Sequence, residues 1–116
     1  MNKFFAAGLT MLAMTVSAVA QAPPKPAYLV AEYTVTDDSA FKAWGEKSAA
    51  LAKAHGGEFL VRGGYPAIAA GEAPSRATII RFESMEKARS YFELPENKAL
   101  AAERDKAAKF RSYLLE

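Results

Sequence analysis

Two glycine pairs, Gly56-Gly57 and Gly63-Gly64, enclose the five-residue run Glu58-Phe59-Leu60-Val61-Arg62. What flanks that run sets the fold. Ahead of it, Phe41, Trp44, Ser48, Leu51, Ala52 and His55 recur at helical spacing and form one apolar stripe. Asp37 can accept the free N–H groups of the first turn, and Asp38 suits the positive end of the helix dipole. Gly45 weakens the middle of this helix and allows a close backbone approach. Gly56 is the expected left-handed residue at its end. The enclosed run is then a strand. After Gly63-Gly64 the strand is expected to resume over residues 67–70, past a glycine bulge. A phosphate-binding loop would lie between a strand and a helix, so that reading of the glycines fails.

Residues 71–75 supply a turn, and "RATIIRF" (76–82) returns as the next strand of a hairpin. Upstream, "AYLVAEYTV" (27–35) is a strand with Leu29, Ala31, Tyr33 and Val35 on one face and Tyr28, Val30, Glu32 and Thr34 on the other. Both faces are largely apolar, so both are expected to be covered. Ser84 caps a helix that buries Met85, Ala88 and Phe92, and Pro95 starts another over 95–109. "FRSYLLE" (110–116) is the last strand.

The order is β-α-β-β-α-β with a split second helix. Right-handed crossovers turn this into an α+β fold: a ferredoxin-like antiparallel sheet in strand order 4-1-3-2, with the helices on one face. The open face carries Val30, Ile79 and Tyr28. An apolar face of that size does not suit a soluble monomer, and packing of two sheets face to face predicts a homodimer.

The first twenty residues read differently. Lys3 precedes an apolar and small-residue run from Phe4 to Ala20, which ends in Ala18-Val19-Ala20, a small-x-small cleavage pattern. The run is short for a bilayer span of about 20 residues. A cleaved signal peptide over 1–20 is expected, with Ala22 as a second cleavage point and a periplasmic or secreted destination. Residues 21–27, "QAPPKPA", form a proline-rich linker, and 28–116 a single domain. Of 15 Lys and Arg, Lys3 leaves with the leader, so 14 face 13 Asp and Glu, a net charge of +1. That is no footprint for nucleic acid. With no cysteine and one histidine, disulfides and thiolate metal sites are excluded, no metal set can be assembled and no cofactor is expected.

"FLVRGG", "RATIIRFESMEKA" and "LPENKALAAER" resemble the bacterial domain-of-unknown-function family thirteen-thirty, of the dimeric α+β barrel superfamily. The likeness runs from about Tyr28 to Leu115. Its most specific pieces are Arg62-Gly63-Gly64, the strand from Arg76 to Phe82 running into Ser84-Met85-Glu86, and Arg104. It implies a ferredoxin-like protomer and a homodimer whose sheets form a barrel. The superfamily holds cofactor-free monooxygenases, haem-degrading enzymes, decyclases and members without demonstrated chemistry. Leu94 departs from the Ser that often precedes Pro-Glu, which removes a helix cap. Asn97 replaces an aromatic and would alter one wall of a pocket. The leader sets the chain apart from the family's mostly short, leaderless members.

Among residues that can carry chemistry, His55 is a catalytic candidate as a general base or haem ligand, against an ordinary residue at a helix C-terminus. Arg62 can hold a carboxylate, or it can bond loop carbonyls around Gly63-Gly64. Tyr33, Trp44, Tyr91 and Phe92 can wall an aromatic pocket between sheet and helices, or simply fill the core. Glu32 and Arg81 are expected to form a cross-strand ion pair, against an acid-base pair in a barrel cavity. Three functions compete: an exported dimer binding a small apolar or aromatic molecule, a cofactor-free oxygenase or isomerase acting on an aromatic substrate, and a structural or interaction module.

Overall fold

A computed structural model describes residues 24–116 and Gly8. Apart from Gly8, the expected signal peptide and the first linker residues lie outside the described residues. Among the described residues, no helix is long and apolar enough to cross a membrane. The elements are β1 (Ala27–Val35), α1 (Asp38–Ala54), β2 (Glu58–Gly64), β3 (Arg76–Phe82), α2 (Met85–Glu93), α3 (Pro95–Ala107) and β4 (Ala108–Leu115). The sheet order is β2-β3-β1-β4, which is the expected 4-1-3-2 read from the other edge.

β1 sits at the centre. It pairs antiparallel with β3, Val30 opposite Ile79, and with β4, Val30 opposite Tyr113. Its alternation is as expected. Ala27, Leu29, Ala31 and Tyr33 are buried beneath the helices, while Tyr28, Val30 and Glu32 are half-buried on the other side. One core cluster joins Leu29, Ile80 and Phe82 to Ala52 of α1 and to Ala88 and Tyr91 of α2. A second joins Ala31 and Tyr33 to Trp44 of α1 and Ala108 of β4, with Leu100 of α3 against it. All three helices therefore cover one face.

The caps follow their side chains. Asp37 accepts from the Ala40 N–H at 3.0 Å, and Ser84 from the Lys87 N–H at 3.2 Å. Leu94, in the capping position of α3, makes no side-chain cap bond. Gly56 has a φ of +85° just past α1. Three expectations are corrected. Residues 67–70 are not strand: Pro66 and Pro74 lack donor N–H groups, and β3 begins only at Arg76, leaving nothing to pair with. β4 begins at Ala108, because Ala108 already pairs with Val35. Glu32 lies opposite Ala77 in β3, four positions from Arg81, and instead bonds Arg111 directly across on β4 at 2.6–2.8 Å. Arg81 meets Glu58 at 3.7 Å.

β2 pairs with β3 through two irregularities, one between Phe59 and Val61 and one between Val61 and Gly64. At the second, Gly63 has a φ of +57°, and a Cβ there would come within 2.8 Å of Arg76 Nη2. Gly63→Ala is therefore expected to destabilise the domain by roughly 1–2 kcal/mol, the cost of a left-handed non-glycine residue, before the clash is counted. A Cβ on Gly45 would meet nothing within 4 Å, so Gly45→Ala is expected to stabilise by up to about 1 kcal/mol through helix propensity. Thermal unfolding followed by circular dichroism should move in opposite directions for the two variants, by roughly 4–8 °C per kcal/mol. Shifts of the same sign would refute the assignment.

Candidate functional site

α1 packs chiefly on α3 and stands off the β2–β3 side of the sheet, leaving a cavity of about 580 Å³ beneath it. Small residues keep that space open: Gly45 and Ala49 face it from the helix. Phe41 and Trp44 flank them, Tyr33, Thr78 and Ile80 form the floor, and Phe59 and Arg62 close the strand side. The aromatic rings hold one another in place. Tyr33 meets Phe41 edge-on at 4.9 Å and Trp44 at 5.6 Å between centroids, and Phe41 lies 5.7 Å from Trp44.

Burial sets the floor's protonation. Removal from water pushes the Tyr33 phenol up to about 12; hydrogen bonding to Thr78 works against that shift, and Tyr91 adds slightly to it. The Thr78 hydroxyl also accepts the Gly63 N–H at 2.9 Å. At neutral pH Tyr33 is thus a hydrogen-bonding group and not a base.

Two arginines reach the cavity by different routes. In a regular strand Arg62 would point away from Phe59's neighbours on the helix side. The extra residue between Phe59 and Val61 shifts the alternation, so Arg62 lies on the cavity side with its guanidinium 5.9 Å from the Phe59 ring. Arg76 opens β3. Its guanidinium lies 4.3 Å from the Tyr65 ring and 5.7 Å from Phe41, its Nε donates to the Gly63 carbonyl, and its Nη1 lies 3.2 Å from the Tyr65 hydroxyl. The structural role expected of Arg62, bonding backbone around the glycines, belongs to Arg76.

Of the residues singled out from sequence, Tyr33, Trp44 and Arg62 come together here. Tyr91 does not. It packs with Phe82 at 5.4 Å under α2, its phenol raised chiefly by burial, with Ser48 acting against that shift. Phe92 is half-buried against the same cluster. His55 is exposed at the C-cap of α1, where its N–H donates to Ala52 O at 3.1 Å. The helical stripe continues past Ala52 in sequence, but α1 ends at Ala54 and the chain turns at Gly56-Gly57, so the imidazole has no layer to enter. Asn97 is not among the residues that line this cavity. Arg104 stacks 3.8 Å from the Phe110 ring and bonds Asp105 at 3.1 Å. Arg76, Tyr65, Phe59 and Thr78 were missed. Alternation back from Phe82 along its own strand would have placed Arg76 and Thr78 on the helix side.

Strand order, helix placement and this cavity define a ferredoxin-like α+β protein with a small-molecule-sized pocket between α1 and the sheet. The chain belongs to the family described as "Domain of unknown function (DUF1330)", whose profile matches residues 26–116. A search of the curated proteins gives no match. Among solved structures, it is similar to a protein of unknown function from Rhodopseudomonas palustris, with a TM-score of 0.60 and 17% identity over 78% of this chain and 80% of that one. It is similar to SnoaB, a cofactor-independent oxygenase from Streptomyces nogalater, with a TM-score of 0.61 and 17% identity over 78% and 91%. It also resembles a dimeric protein of unknown function and ferredoxin-like fold from Bacteroides fragilis, with a TM-score of 0.56 and 16% identity over 78% and 95%.

The Tyr33 environment has a pH consequence. Its folded pKa lies above the usual 10, so the stability it contributes is complete below pH 10. It is lost as pH rises toward 12, where only the unfolded chain ionises freely. Two units correspond to on the order of 2–3 kcal/mol. Chemical denaturation between pH 9 and about 12 should show a steeper stability loss in the wild type than in Tyr33→Phe. Parallel curves would refute the burial argument.

Proposed function

We propose that this protein is an exported homodimer that binds a small aromatic or apolar molecule in the cavity under α1. The observation that carries the reading is the cavity itself. About 580 Å³ falls in the usual range for small-molecule sites of roughly 300–1,000 Å³, and it is walled by Phe41, Trp44 and Phe59 over a neutral Tyr33. The oxygenase or isomerase reading has weaker support. The likeness to SnoaB is one of fold at 17% identity, His55 lies elsewhere, and Tyr33 is held protonated.

Trp44 is the chain's sole tryptophan, so its emission reports occupancy without a label. Titration with aromatic probes that do not emit in the tryptophan band, such as benzamide or benzoate, should change Trp44 emission in the wild type. Gly45→Leu, which puts a side chain into the cavity, should weaken that binding at least about tenfold, as loss of a comparable apolar contact does. His55→Ala should leave it unchanged. A silent screen, or equal binding in Gly45→Leu, would move the reading to a structural module.

Dimerisation is supported by the uncovered face of the sheet. Val61, Ile79, Val30 and Tyr113 form one row across all four strands. Val61, Tyr113 and Leu115 on that side are 40–50% exposed. Export is supported by the leader and the proline linker. Native mass spectrometry of protein from the cell envelope is expected to give twice the mass of a chain starting at Gln21. Ile79→Asp should give the single-chain mass, because its carboxylate would be desolvated without a partner. A wild-type monomer, or a chain retaining Met1 to Ala20, would overturn the corresponding part.

A further inference from the structure

We infer that the cavity selects planar aromatic acids, with Arg76 holding the acid group and Arg62 adding a second positive charge. The inference rests on the aromatic-binding reading above and deepens it. Arg76 is immobilised before any ligand arrives. Tyr65 and Phe41 rings flank its guanidinium, and the Gly63 carbonyl and the Tyr65 hydroxyl take two of its N–H groups. A guanidinium carries five such donors in a planar fork, so three remain. Arg81, Arg104 and Arg111 each have a carboxylate partner, whereas among the described residues neither Arg76 nor Arg62 has one within 4.0 Å.

The strand side of the cavity carries positive charge only, whereas the α1 side is mixed with one net negative charge. Asp38, Lys42 and Glu46 line it from α1, while both arginines approach from the strands. An acid with a flat apolar body would therefore lie with its ring against Trp44 and Phe59 and its carboxylate turned to the β2–β3 side. There a fixed fork can meet two oxygens at once, and little side-chain freedom remains to be lost on binding. The hydroxyls of Tyr33 and Thr78 on the floor give a polar substituent on the ring something to bond.

The test is calorimetric titration of the full protein with 2-naphthoate and with its neutral isostere 2-naphthamide. The wild type should bind the acid at least about tenfold more tightly, in keeping with hydrogen bonds to a charged group. Arg76→Gln should erase most of that ratio while changing amide affinity little. Arg76→Lys should restore it only in part, because an ammonium lacks the planar fork. Arg62→Gln should reduce the ratio less. If Arg76→Gln weakens both ligands equally, Arg76 only positions Gly63 and the inference is overturned. Should that variant not fold, the wild-type ratio decides. Equal binding of acid and amide overturns the inference and leaves the aromatic reading standing, whereas no binding of either overturns both.

Discussion

Everything in this domain is referenced to β1. It is hydrogen-bonded on both flanks, so its register fixes β3 on one side and β4 on the other. Its inward side chains run Ala27, Leu29, Ala31, Tyr33. Small residues let the helices approach at one end, where Ala52 and Ala88 meet the sheet. The tyrosine at the other end begins the aromatic floor over which α1 lifts away. A single alternation thus sets both where the domain is solid and where it is hollow.

Beyond β1, the site depends on how β2 departs from regularity. Without its first irregularity the alternation would place Arg62 away from the cavity. Without its second, Gly63 would not present its carbonyl to Arg76. Each irregularity costs pairing at an edge strand, where β-bulges are commonly tolerated and re-aim side chains. The hollow and the two arginines beside it are consequences of one poorly paired strand next to a well-paired core.

This explains what could be read from the sequence. β1, the Asp37 and Ser84 caps, the Gly56 turn and the strand order were legible because each rests on local chemistry or a strict period of two. The family likeness agreed with them. Tyr33, Trp44 and Arg62 were legible as pocket residues, although the reason Arg62 belongs there was not, because bulges leave no periodic signal. The ordinary reading of His55 as a helix C-terminal residue matches its place, whereas its position on the cavity stripe was not legible, because helical spacing does not say where a helix runs out of neighbours. Glu32 found Arg111 rather than Arg81 because register, which alternation alone does not specify, decides between partners four residues apart.

The loop over residues 65–75 is fastened at both feet. At one end Arg76 grips Gly63 and Tyr65. At the other the Ser75 hydroxyl receives the Val35 N–H and donates to the Tyr33 carbonyl, both at 2.9 Å, standing in for a strand residue at the margin of β1. Between those anchors Ile68 is largely exposed and Gly71 adopts a φ of +72°. The span is a detachable tip: its length bears on the scaffold only through closure entropy, about 0.6 kcal/mol for each doubling. Because Tyr65 at its base also lines the cavity, a change in the tip can reach the cavity wall while the sheet beneath stays as it is.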